Sequence, residues 1–132
     1  MILRGASRPD LLLEETLYDI LSSTAVWHPA NTAVLWNGTA LSYQQLHSAA
    51  TSAAGALSFL GAGPGRVVGL WLPRSPELLV AQCAITGCGA AWLPLDSETP
   101  PERGNVCLRA ANALGVVTTR AWASRLGAMP VP

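Results

Sequence analysis

Two histidines, three cysteines and eight carboxylates are the side chains that catalysis or metal binding would recruit from this sequence. His47 lies four residues after Tyr43 in an apolar-periodic segment, and His28 sits between Trp27 and Pro29 in a loop-like stretch. A zinc site takes three or four ligands at suitable spacing, and neither histidine has such neighbours. Cys83 and Cys88 are five apart, not the Cys-x-x-Cys of a zinc or redox pair. With Cys107 they make an odd number and read as free buried thiols in a reducing compartment. No Gly-x-Ser-x-Gly elbow marks a serine nucleophile. Glu98 and Glu102 stand four apart at a helix start, where a capping and dipole role outweighs general acid–base work. Asp96, after Leu93-Pro94-Leu95, is the best single candidate for a polar role, because open α/β sheets bind ligands at the carboxyl ends of their strands. Its alternative is to shape the turn into the next helix, and that reading is favoured.

The cluster Gly61-x-Gly63-x-Gly65 invites a phosphate-loop reading and fails it. The spacing is not G-x-G-x-x-G, and the cluster precedes a strand where a dinucleotide loop follows one. A Walker loop needs a lysine, and all eight basic residues here are arginine. A net charge of zero without a basic cluster argues against nucleic acid, which is held first through its phosphates. Charged residues make up 12% of the chain, about half the ordinary share of roughly 25%. So little charge leaves part of the surface poorly wetted and points to a face that lies against something else. The N-terminus lacks the apolar core and cleavage site of a signal peptide. The uncharged run Leu78 to Leu95 is interrupted by Gln82, Gly87, Gly89 and Pro94, so a buried helix and strand explain it better than a membrane span. The expectation from these features is a cytoplasmic protein with no membrane partner.

The elements follow from periodicity and punctuation. Leu13, Leu17, Ile20 and Leu21 form one face of a helix from Asp10, its cap, to about Thr24. Thr32 to Trp36 and Thr39 to Leu41 flank Asn37-Gly38, the strongest short hairpin signal. Asn37-Gly38-Thr39 also fits the glycosylation sequon, but without a secretory signal the turn reading prevails. Ser42-Tyr43-Gln44-Gln45 is a capping box with Leu41 and Leu46 as hydrophobic staple. Its helix carries Leu46, Ala50, Ala53, Leu57 and Leu60 on one stripe and stops at Gly61. Arg66 to Leu72 reads as a strand covered on both faces. Ser75-Pro76-Glu77 starts a helix that is apolar all round and therefore deeply buried, ending at Gly87–Gly89. Ala90 to Leu95 is a second buried strand. Thr99-Pro100-Pro101-Glu102 reads as a capping box for a helix running to about Leu114, ended by Gly115. Val116 to Thr118 is a third strand, Arg120 to Leu126 a last short helix, and residues 127–132 a flexible tail. Alternation with short turns implies parallel strands. The expected fold is α/β: an open, mostly parallel sheet with helices on both faces plus an N-terminal hairpin, one domain over residues 1–132.

Five stretches in order resemble a known family. Leu41-Ser42-Tyr43-Gln44-Gln45-Leu46 is similar to the Leu-Thr/Ser-Tyr-x-Glu-Leu motif of amino-acid adenylation domains in nonribosomal peptide synthetases. Gly63 to Val68 and Leu72 to Leu78 match that family's next strand and helix. Gly87-Cys88-Gly89-Ala90-Ala91-Trp92-Leu93-Pro94-Leu95-Asp96 resembles its Lys-Ala-Gly-x-Ala-Tyr-x-Pro-Leu-Asp motif, and Pro101-Glu102-Arg103 and Val116-Val117-Thr118 follow in turn. The Pro-Leu-Asp ending resembles amino-acid-activating members more than acyl-CoA ligases. Departures are Thr86 and Cys88 around Gly87, Trp92 for tyrosine, and Gly104 where an aliphatic residue is usual. Gly104 should weaken its helix by about 1 kcal/mol against alanine.

The resemblance implies part of the large N-terminal domain of an adenylate-forming (AMP-binding) ligase, with ATP and Mg²⁺ as cofactors of the complete enzyme and a carrier protein as its partner. That family's phosphate loop, substrate pocket and catalytic lysine come later than the matched motifs. No catalytic, cofactor-binding or metal residue therefore carries over onto a position here, and the chain is expected to bind no cofactor and to be inactive alone. Its expected partner is the remainder of the adenylation domain or another copy of itself. The alternative is a stand-alone interaction or split-enzyme module that keeps the fold for its surface.

Overall fold

The computed structural model describes residues 6–11 and 13–125, so the expected tail at 127–132 lies outside the described residues. A 3-10 turn at Pro9–Leu11 precedes helix α1 (Leu17–Trp27). The hairpin β1 (Thr32–Trp36) and β2 (Thr39–Ser42) leads into α2 (Tyr43–Phe59). Strand β3 (Val67–Trp71), helix α3 (Pro76–Gly87), β4 (Ala91–Pro94), α4 (Pro101–Ala110), β5 (Val116–Thr118) and the short α5 (Arg120–Ala123) follow. The order and type of every expected element are present.

The main sheet is parallel, in the order β4-β3-β5, and the hairpin is a separate antiparallel pair. Side chains of β3 alternate between two covered faces. Val68 and Leu70 pack with Leu57 of α2 and Ala81 and Ile85 of α3. On the opposite face Gly69 meets Leu108 of α4, and Trp71 meets Trp122 of α5. The chain moves from β3 to β4 through α3, then back past β3 to β5 through α4. One hand of crossover run in opposite directions lays the two helices on opposite faces. A second cluster, Leu21, Leu46, Ala50 and Cys83 with Ala33 and Val34 of β1, joins α1 and the hairpin to the outer side of α2 and α3.

Local chemistry fixes the boundaries. Asn37 and Gly38 both have positive φ, 47° and 78°, as a type I′ hairpin turn requires. The capping box at Ser42 is complete: its hydroxyl accepts from the Gln45 amide at 3.2 Å, and the Gln45 side chain accepts from the Ser42 amide at 2.8 Å. The next two amides of α2, from Tyr43 and Gln44, donate to the carbonyls of Asn31 and Pro29. All three helices that feed the main sheet end alike. In α2 the Ala62 amide returns to the Leu57 carbonyl and Gly61 (φ 95°) to Ser58. Ala90 returns to Ile85 and Gly89 to Thr86 in α3, and Ala113 to Leu108 and Asn112 to Arg109 in α4. Each is a Schellman end, and each leads into the next strand within a few residues.

Several boundaries differ from expectation: α1 runs on to Trp27, α5 stops at Ala123, and three others have a local cause. Helix α1 is capped at Thr16, six residues beyond Asp10, because Thr16 and Asp19 form their own capping box while Asp10 pairs with Arg8 at 2.7 Å. Leu13 and much of Leu17 and Ile20 are exposed as a result, and Leu21 and Ala25 carry the buried stripe. Helix α4 begins at Pro101 without a side-chain cap, so Thr99 and Glu102 form no capping box. It ends at Ala110 because Asn112, at φ 48°, adopts the left-handed turn expected of Gly115. Gly104 is buried in α4, and a methyl there would meet Leu95 and Thr99 at 3.5 and 3.9 Å, ordinary contact distances. Gly104→Ala should therefore raise stability by about 0.5–1 kcal/mol, read as a higher urea midpoint at unchanged slope.

Candidate functional site

Strands β3 and β4 end side by side, and their exits frame two clefts. One, of about 470 Å³, lies between the β4–α4 loop and α4, with Glu98, Arg103 and Cys107 on its wall. The other, of about 400 Å³, lies between the exits of β3 and β4, lined by Arg74, Gln82 and Ser97 among Leu70, Leu72 and Leu78. Asp96 lines both. Its Oδ1 accepts a hydrogen bond from the Glu98 amide at 2.8 Å and a longer one from the Ser97 hydroxyl at 3.5 Å. This is an Asx turn, so the carboxylate shapes the entry to α4 as the favoured reading held.

Below that loop lies a contact sequence reasoning missed. Trp71, 1% exposed at the end of β3, donates its indole N–H to the Asp96 carbonyl at 3.0 Å. The Trp122 ring lies 4.9 Å from it, and the Arg125 guanidinium stands 5.1 Å from the Trp71 ring centroid. A buried tryptophan needs a partner for its one donor. That rule was the available signal, but the partner's identity depends on strand pairing.

The remaining candidates do not converge on Asp96. His28 caps the carboxyl end of α1 and is exposed. His47 Nε2 lies 3.1 Å from Ser22 Oγ, with the Tyr18 ring beside it. The Ser22 hydroxyl donates to the Tyr18 carbonyl at 2.9 Å, so toward His47 its oxygen is the acceptor and the ring N–H the donor. A general base would have to accept that hydroxyl proton. The pair therefore ties α1 to α2 and does not activate a nucleophile. All three cysteines are free. Burial pushes the Cys83 thiol up, away from the reactive thiolate. Cys88 donates to the Ala54 carbonyl at 3.2 Å and accepts from Ser58 at 3.3 Å, joining α3 to α2. Glu102 sits in the first turn of α4, where the helix dipole favours it. Among the described residues no three His, Cys, Asp or Glu come together as a metal-binding set.

The exits of β3, β4 and β5 are Leu72-Pro73-Arg74-Ser75, Leu95 to Pro100 and Thr119. None is a glycine-rich strand-to-helix loop, and no lysine is present to reach a phosphate. Among the described residues no helix is long and apolar enough to cross a membrane.

Comparison with known proteins gives a consistent family. The AMP-binding enzyme family matches residues 21–130. The chain is 45% identical over 129 residues to the delta-poly-L-ornithine synthetase of Acinetobacter baumannii, covering 98% of this chain and 10% of that protein. It is 39% identical over 111 residues to novobiocin biosynthesis protein H of Streptomyces niveus, covering 84% of this chain and 18% of that protein. Among solved structures, the anthranilate CoA ligase AuaEII superposes with a TM-score of 0.83 at 23% identity, covering 92% of this chain and 24% of that one. The N-terminal subdomain of Klebsiella oxytoca NpsA superposes with a TM-score of 0.78 at 24% identity, covering 88% and 29%. The two structural likenesses speak for the fold. The chain thus spans between a tenth and under a third of the length of these proteins.

Proposed function

The chain belongs to the AMP-binding enzyme family, and from that premise we propose that it is the N-terminal portion of an ATP-dependent amino-acid-adenylating ligase of nonribosomal peptide synthesis. The complete enzyme joins an amino acid carboxylate to the α-phosphate of ATP, releases pyrophosphate, and passes the aminoacyl group to a carrier-protein thiol. These residues supply the frame. Helix α2, the β3–α3–β4 unit and the Trp71 clamp on the Asp96 loop form one side of a large α/β domain.

The observation that carries the reading is the 45% identity across 129 residues to the delta-poly-L-ornithine synthetase. It spans both the capped start of α2 and the Pro94-Leu95-Asp96 exit of β4. What supports inactivity alone is the residue inventory, with no lysine anywhere and no set of three metal-binding side chains among the described residues. Amino-acid-dependent ATP–pyrophosphate exchange tests both parts. The purified 132-residue chain should give background exchange with all twenty amino acids. A polypeptide joining it to the rest of an adenylation domain should exchange with at least one. Exchange by the short chain would overturn the inactivity, and none by the joined polypeptide would overturn the adenylation reading.

A second reading, an interaction module, draws on the apolar surface: Val26, Trp27, Leu35 and Phe59 are all more than 70% exposed. It calls for a stable dimer or heterocomplex of the chain as given, and a soluble monomer in sedimentation would count against it.

A further inference from the structure

We draw no further inference here: the strongest candidate, the exposed apolar stripe of Leu17, Ile20 and Trp27 on the outer face of helix α1, is an unpartnered surface, and nothing in the structure shows what covers it.

Discussion

Gly69→Ala should destabilise the fold by about 3 kcal/mol, enough to lower the melting temperature of a chain this size by about 10 °C. Gly69 is the middle residue of the middle strand, paired with Leu93 on one side and Val116 on the other. A methyl there would overlap Cδ2 of Leu108, which is itself fully buried, and would lie 3.0 Å from Cγ2 of Val116 and 3.2 Å from the Gly115 carbonyl oxygen. Two of these neighbours belong to β5 and its lead-in, so the strand would have to move away from β3 as well as α4 from the sheet. The cost comes from closeness and not from backbone freedom, since this glycine is in extended conformation within a strand. Leu108→Ala alone should cost about 3 kcal/mol through the cavity it opens. Combined, each change relieves the other, and the double variant should be at least 1 kcal/mol more stable than the two losses added. Urea unfolding of the four proteins checks this, and strict additivity would refute the close approach of α4 to β3.

Trp71→Ala should cost more, about 4 kcal/mol, as expected for removing a fully buried large aromatic. The loss is local as well as global. The indole N–H is the bond from β3 to the Asp96 carbonyl, and that same carbonyl accepts the Thr99 amide at 2.9 Å, the last turn before α4. Trp71→Phe keeps most of the apolar surface and removes the donor, so it should cost about 1–2 kcal/mol while the Thr99 amide exchanges faster. Equal losses in the two variants would mean that the hydrogen bond, and not the packing, dominates.

Much of the fold is legible in the chain because its boundaries are set by local chemistry. Ser42 and Gln45 announce α2, Asn37-Gly38 the hairpin, and Gly61 and Gly89 the ends of two helices. The errors come from local competition. Asp10 and Thr16 are both sound helix caps, and Asp19 three residues after Thr16 decides between them. Asn112 and Gly115 both tolerate the left-handed turn, and the nearer one takes it. The site was legible to the extent that the Asx turn at Asp96 is local. The indole beneath it was not, because Trp71 and Asp96 are 25 residues apart and meet only through the pairing of β3 with β4. Gly69 hides for the same reason: nothing within its own strand tells that α4 will press on it.

The strand order also sets an order in time. The β3–β4 register, Val67 with Ala91, closes a loop about half as long as the one that brings Val116 to Gly69. Each doubling of loop length adds only about 0.6 kcal/mol of entropy, but α4 and β5 also come after β4 in the chain. As the polypeptide emerges from the ribosome, the β3–α3–β4 unit can consolidate while α4 and β5 are still being made. β5 should therefore be the last strand to acquire protection in pulse-labelled refolding and the first to lose it.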